Sequence, residues 1–277
     1  MLRYVISTLM ALAICMAAWA KPAVAEEITL NSSNLLVLRG EVGWENMVKL
    51  SHKVLTSKAD KIYLFIDSPG GSIFSGLKLV EAIKASDKTV VCIANTAISM
   101  AFIIFQACDE RLIVPDAVLM QHMPSYGMEG QEPNNYQFAK FIHSVGAALY
   151  KMQAERMGMR VADFYTKVRD DWWMFDDEGV KNNAADRMVT VKCSPELLQK
   201  YTVETQRIFI FVIKIKFSGC PLIAGPVEDD AKTAVPGIQL NSPAFQRAYT
   251  RVMDSYNSRS AAEKMMRTRS PKIDLND

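Results

Sequence analysis

The stretch from Ile62 to His122 constrains the chain most, because it reads as two strand-turn-helix units in succession, each ending its strand on groups that carry chemistry. In the first, Ile62-Tyr63-Leu64-Phe65-Ile66 is a short, nearly continuous apolar run bounded by Asp67-Ser68-Pro69-Gly70-Gly71. That is the pattern of a strand buried in a parallel sheet. Pro69 fixes its own φ, while Gly70 and Gly71 permit positive φ and let backbone N–H groups face a cleft at the start of a helix over 74–85. In the second unit Thr89-Val90-Val91-Cys92-Ile93 is again a strand, and Asn95-Thr96-Ala97-Ile98 turns into a helix that begins near Ser99. The repetition predicts an α/β fold with a largely parallel sheet.

By residue type alone a serine at a helix start reads as an N-cap. Its context adds a second reading. The neighbouring glycine turn offers backbone donors, and His122 follows the apolar run Ala117-Val118-Leu119-Met120. A hydroxyl, a pair of N–H groups and an imidazole are the nucleophile, oxyanion donors and base that acyl transfer needs. The other two histidines, His52 and His143, fall on helical patterns that suit a surface or packing role.

The rest of the chain supplies support. Short strands are expected at Glu27-Ile28-Thr29-Leu30 and Leu35-Leu36-Val37-Leu38, an amphipathic helix over 44–56, and a long helix over 134–157 whose apolar residues serve either as core or as a seat for another subunit. A helix over 161–168, a short helix reaching Asp186 and a strand over 188–191 follow. A net charge of +2 gives no reason to invoke nucleic acid or an anionic membrane. No His/Cys/carboxylate cluster or CxxC spacing suggests a metal, and nothing suggests a cofactor.

At the N-terminus Arg3 precedes an apolar run over 5–18 and then Ala23-Val24-Ala25 before Glu26. This reads as a signal peptide cleaved after Ala25, which sends the chain to a secreted or periplasmic destination. The run is shorter than the roughly 20 residues of a spanning helix, which favours cleavage over a retained anchor.

Ser-Pro-Gly-Gly at 68–71, Ala-Ile-Ser-Met at 97–100, Met-Gln-His-Met-Pro at 120–124 and Arg-Asp-Asp at 169–171 resemble, in order and spacing, the Clp protease proteolytic subunit family over 35–191. The resemblance implies a crotonase-like βαβ superhelix and a serine endopeptidase, assembled as a homo-oligomeric ring, that acts on peptides or unfolded segments. It implies Ser99 as nucleophile, His122 as base, Asp171 as the carboxylate orienting the histidine, and the backbone N–H groups of Gly71 and Met100 as the oxyanion hole. Asp170 is then a solvated or capping carboxylate. The chain departs from the family at Ala94, Ile98 and Ala101, which add bulk around the nucleophile, and over 176–185. An exported subunit would meet no ATP, which argues against an ATP-driven unfoldase partner. Two other readings are a Ser-Lys dyad protease with Lys140 as base, which a His122/Asp171 pair argues against, and a silent scaffold that keeps the fold for assembly.

Three parts follow: residues 1–25 as signal, 26–192 as the Clp-like domain, and 193–277 as an extension. In the extension Ser194 caps a short helix, the alternation Ile213-Lys214-Ile215-Lys216-Phe217 predicts a strand packed on the main domain, 219–236 reads as loop, and 243–266 as a helix with a basic face. Export permits disulfides. Cys193 and Cys220, both beside turn signals, are the expected pair, whereas Cys92 and Cys108 are expected to stay reduced, since strand and helix-end positions in one βα unit seldom face each other.

Overall fold

A computed structural model describes residues 26–208, 211–223, 225–233 and 240–255. The expected signal segment and the chain beyond residue 255, including most of the expected basic face, lie outside the described residues.

The main domain runs β1 (Glu26–Leu30), β2 (Leu35–Arg39), α1 (Trp44–Thr56), β3 (Lys61–Ser68), α2 (Ile73–Ala85), β4 (Thr89–Ile98), α3 (Met100–Gln106), β5 (Glu110–Gln121), α4 (Glu132–Arg156), α5 (Val161–Arg169), β6 (Trp172–Phe175), α6 (Glu178–Lys181) and β7 (Arg187–Cys193). Its seven-stranded sheet has the order β1-β7-β5-β4-β3-β2, with β6 attached to β5. Every pairing along the path is parallel, and β6 alone is antiparallel. The short strands β1 and β2 part to opposite edges of the sheet.

Consecutive residues of a strand point to opposite faces, so an unbroken buried run means that both faces are covered. Val90 to Ala94 of β4 are all buried, as are Leu64, Phe65 and Ile66 of β3. One apolar cluster joins them to Met47, Leu50 and Val54 of α1, Leu79 and Ile83 of α2, and Phe102 and Phe105 of α3. The long helix α4 resolves the choice left open by its periodicity into two halves. Leu149 and Ala154 belong to the core, while Tyr136, Phe138 and Phe141 near its start are exposed.

The extension differs from expectation. It comprises α7 (Pro195–Gln199), β8 (Tyr201–Ile208), β9 (Phe211–Ser218), β10 (Pro226–Thr233) and α8 (Pro243–Ser255). Ser194 does cap α7, its Oγ accepting from the Leu197 N–H. The alternating segment is a strand, but it is the centre of a separate antiparallel sheet, β10-β9-β8, whose end at Phe217 and Ser218 lines a cleft with β2 and α1 of the main domain. Its inward residues Phe211, Ile213, Ile215 and Phe217 meet Phe245 of α8 in a core of their own. The expected loop over 219–236 contains β10, whose polar sequence hides its pairing with β9.

Cys193 and Cys220 are joined by a disulfide. Cys92 and Cys108 are joined as well, against the expectation that they stay reduced, with Cα atoms 5.9 Å apart. The register of β5 on β4 is the reason. Glu110 pairs with Val91, and the Asp109 N–H donates to the Val90 carbonyl, so the turn that carries Cys108 lies beside Cys92.

Candidate active site

Ser99 sits between the last residue of β4 and the first of α3, at φ 57° and ψ −120°. Positive φ is uncommon outside glycine, and such a turn lifts the side chain out of the strand-helix junction. Two backbone bonds fix it: the Ser99 N–H donates to the Met120 carbonyl, and the Ser99 carbonyl accepts from the Ile103 N–H. Its hydroxyl makes no capping bond to α3, so the N-cap reading fails. Ser99 Oγ lies instead 2.8 Å from His122 Nε2.

Gly70 has φ 88°, and a Cβ there would stand 2.5 Å from the Ile98 carbonyl oxygen and 2.8 Å from Ser99 Cβ. The glycine turn is thus packed against the serine turn backbone to backbone, which only a residue without a side chain allows. Gly71 forms a parallel bridge with Val42. In that bridge Val42 N–H donates to the Gly70 carbonyl and Val42 carbonyl accepts from Ser72 N–H. The N–H of Gly71 itself therefore faces away from Val42, and Gly71 lines the cleft shared by Ser99, Met100 and His122. Met100 is the first residue of α3, where a helical N–H has no partner within the helix. Its side chain is buried against α2, where a Cβ at Gly76 would lie 2.5 Å from Met100 Cγ.

His122 follows β5 and is only 9% exposed, whereas His52 and His143 are both exposed. A chain of amides holds it. The His122 N–H donates to Gln121 Oε1 at 2.9 Å, the Gln121 amide donates to Gln153 Oε1, and the Gln153 amide donates to the Leu149 carbonyl on α4. Gln121 and Gln153 are both buried. Sequence reasoning missed this pair, although a glutamine among apolar positions on α4 is the signal that could have found it.

Asp171 lies between α5 and β6 with φ 55°. The antiparallel ladder pairs Met120 with Trp173 and Gln121 with Trp172. Asp171 and His122 are the next residues beyond the last pair of that ladder, one on each side. Trp172 anchors the start of β6, with Phe164 packed edge-on and Lys167 over its ring at 4.5 Å. Asp170 is turned to solvent and paired with Arg169, whose hydrogen bond holds its carboxyl below the usual carboxylate range.

Ile98, Ala94 and Ala101 lie away from the cleft. Ile98 packs with Met120 among Val118 and Trp173, and the two alanines are in the main core. Lys140 is exposed, 5.5 Å from the centre of the Tyr136 ring. The segment over 176–185 has a structural task. Asp186, at its end, is held by Arg111, which also donates to Gln106 at the end of α3 and to the Asn183 carbonyl. Burial opposes ionisation of Asp186, but the hydrogen bonds from Arg111, with the nearby charge of Arg156, outweigh it and hold the carboxyl below its usual range.

The sheet and cleft have counterparts in known proteins. The chain is 25% identical over 148 residues to the ATP-dependent Clp protease proteolytic subunit 2 of Pseudomonas aeruginosa, an alignment that covers 52% of this chain and 74% of that protein. The family model described as Clp protease matches residues 26–192. That match spans the whole sheet and the Ser99–His122 cleft, more than half of the chain, and the chain belongs to the Clp protease family.

Proposed function

We propose that the protein is a serine endopeptidase that cleaves peptides or unfolded protein segments. The observation that carries this reading is the 2.8 Å approach of His122 Nε2 to the hydroxyl of Ser99 on a positive-φ turn. A serine hydroxyl attacks at neutral pH only when a neutral imidazole within hydrogen-bond reach takes its proton. His122 Nε2 accepts that proton as Ser99 Oγ bonds to the scissile carbonyl carbon, and Asp171 holds the opposite side of the ring. The developing oxyanion is received by the N–H groups of Gly71 and Met100. The imidazolium then protonates the leaving amine, and water attacking through the same histidine releases the acyl group.

The exposed location of Lys140 speaks against a Ser-Lys dyad. Assembly into a homo-oligomeric ring is supported by the exposed aromatic surface on α2 and the start of α4, where Phe74 stacks on Phe141 and Phe138 packs beside it. Two disulfides in one chain support an oxidising compartment, and so the export reading. There the work falls on segments that are already extended, with no ATP-driven unfoldase.

The test is hydrolysis of an unstructured peptide by the purified chain from Glu26 onward. The parent protein should cleave it, and Ser99→Ala should reduce cleavage by at least about a thousandfold with the fold unchanged. Equal rates would reduce Ser99 to a structural residue.

A further inference from the structure

The cleft that holds Ser99 and His122 continues toward α4, where Gly146, Leu149 and Tyr150 line it. Tyr150 is 7% exposed, and its ring is fixed by Phe164 at 6.2 Å and by Tyr165 at 5.8 Å, the latter edge-on. On a helix a side chain leans back over the residue four positions earlier. For Tyr150 that residue is Gly146, and a Cβ there would lie 3.4 Å from the Tyr150 hydroxyl and 3.5 Å from Pro124 Cγ. The missing side chain leaves a gap the size of a methyl group between the hydroxyl and Pro124, within the lining of the cleft. The hydroxyl has no hydrogen-bond partner among the described residues, although most buried tyrosines find one. The other buried polar groups on this wall are committed, since both ends of the Gln153 amide are already bonded.

We infer that the Tyr150 hydroxyl is a specificity determinant. It selects substrates whose side chain on the acyl side of the cleaved bond is a straight apolar stem ending in a hydrogen-bond acceptor, glutamine above all. The walls contributed by Ile73, Ile103 and Leu149 take the stem, and the hydroxyl donates to the carbonyl at the tip. Burial pushes the Tyr150 phenol up to about 12, so it remains a donor throughout the neutral range. A purely aliphatic side chain of the same length would cover the hydroxyl and leave it unpaired, the situation in which a polar pocket discriminates most strongly. This inference rests on the peptidase reading of Ser99.

The test uses two peptides identical except for glutamine or norleucine before the cleaved bond, assayed on the full mature chain. The ratio of kcat/KM for glutamine over norleucine should fall roughly three- to tenfold in Tyr150→Phe, the worth of one neutral hydrogen bond. Gly146→Ala, which puts a methyl group at ordinary contact distance below the hydroxyl, should slow the longer side chains relative to alanine at the same position. A ratio unmoved by Tyr150→Phe, with both peptides cleaved, would overturn the inference and leave the peptidase reading intact. Failure of the parent chain to cleave either peptide, or any other unstructured peptide, would overturn both.

Discussion

The main domain and the extension bury apolar residues in opposite ways, and the contrast explains why the reactive groups lie where they do. In the parallel sheet β3 and β4 are buried on both faces, so their ends are held by a continuous core and can carry a strained turn such as the one at Ser99. Among the described residues the extension has one sheet, where five buried side chains from β9 and α8 form a satellite core. It is linked to the main domain by the Cys193–Cys220 disulfide and by contacts such as the bond from Arg39 to the Pro221 carbonyl. A backbone strain of about 1–3 kcal/mol persists only where the surroundings over-determine it. The first region can hold such a turn, and the second lacks the depth to do so.

The largest effect expected within the first region is on chemistry. His122→Ala should cost about as much as Ser99→Ala, on the order of ten thousandfold in kcat, and the double variant should lose little more, because residues that act as a unit are strongly non-additive. Steady-state rates on one peptide measure this. Additive losses would mean that the 2.8 Å contact is not a working pair.

A smaller effect should separate the two regions. Cys193→Ser opens a loop of 27 positions, for which chain entropy gives roughly 3–4 kcal/mol as an upper figure. The loss should be local. Hydrogen exchange should quicken at the β9 amides and stay unchanged at the β4 amides. Equal quickening at β4 would make the extension part of the main folding unit.

The smallest effect concerns pH. The Asp186 carboxyl is held low by Arg111, itself nearly buried, so its contribution is present above the unfolded carboxylate value of about 3.9 and is lost as pH falls through the lower folded value. Asp186→Asn should therefore cost roughly 2 kcal/mol at pH 7, discounted because the carboxylate is a third exposed. The gap between parent and variant in denaturant unfolding should close as the pH drops toward 2. A gap constant with pH would deny the ion pair its role.

What could be read from the sequence follows the same division. The strands of the main sheet announce themselves as apolar runs ending in Gly70-Gly71 and at Ser99, because burial on both faces leaves no other composition. The extension's β10 carries Glu228, Asp229 and Asp230 on an edge, so its pairing depends on β9 and has no signature of its own. The Cys92–Cys108 link was equally hidden, since it depends on the register of β5 on β4, which local patterns do not specify. At the site, residue types pointed to Ser99 and His122. The supporting amides of Gln121 and Gln153 come from helix packing, and the place of Asp171 next to the end of the β5–β6 ladder comes from antiparallel register.

The most direct test of the central claim, that the β4–α3 turn carries an activated serine, is labelling of the purified chain from Glu26 onward with a fluorophosphonate followed by peptide mapping. The account predicts a single adduct on Ser99, lost in Ser99→Ala and slowed by at least about a hundredfold in His122→Ala, with labelling of Lys140→Ala as in the parent. Labelling of Ser99 that persists in His122→Ala and disappears in Lys140→Ala, or no adduct at Ser99 at all, would contradict it.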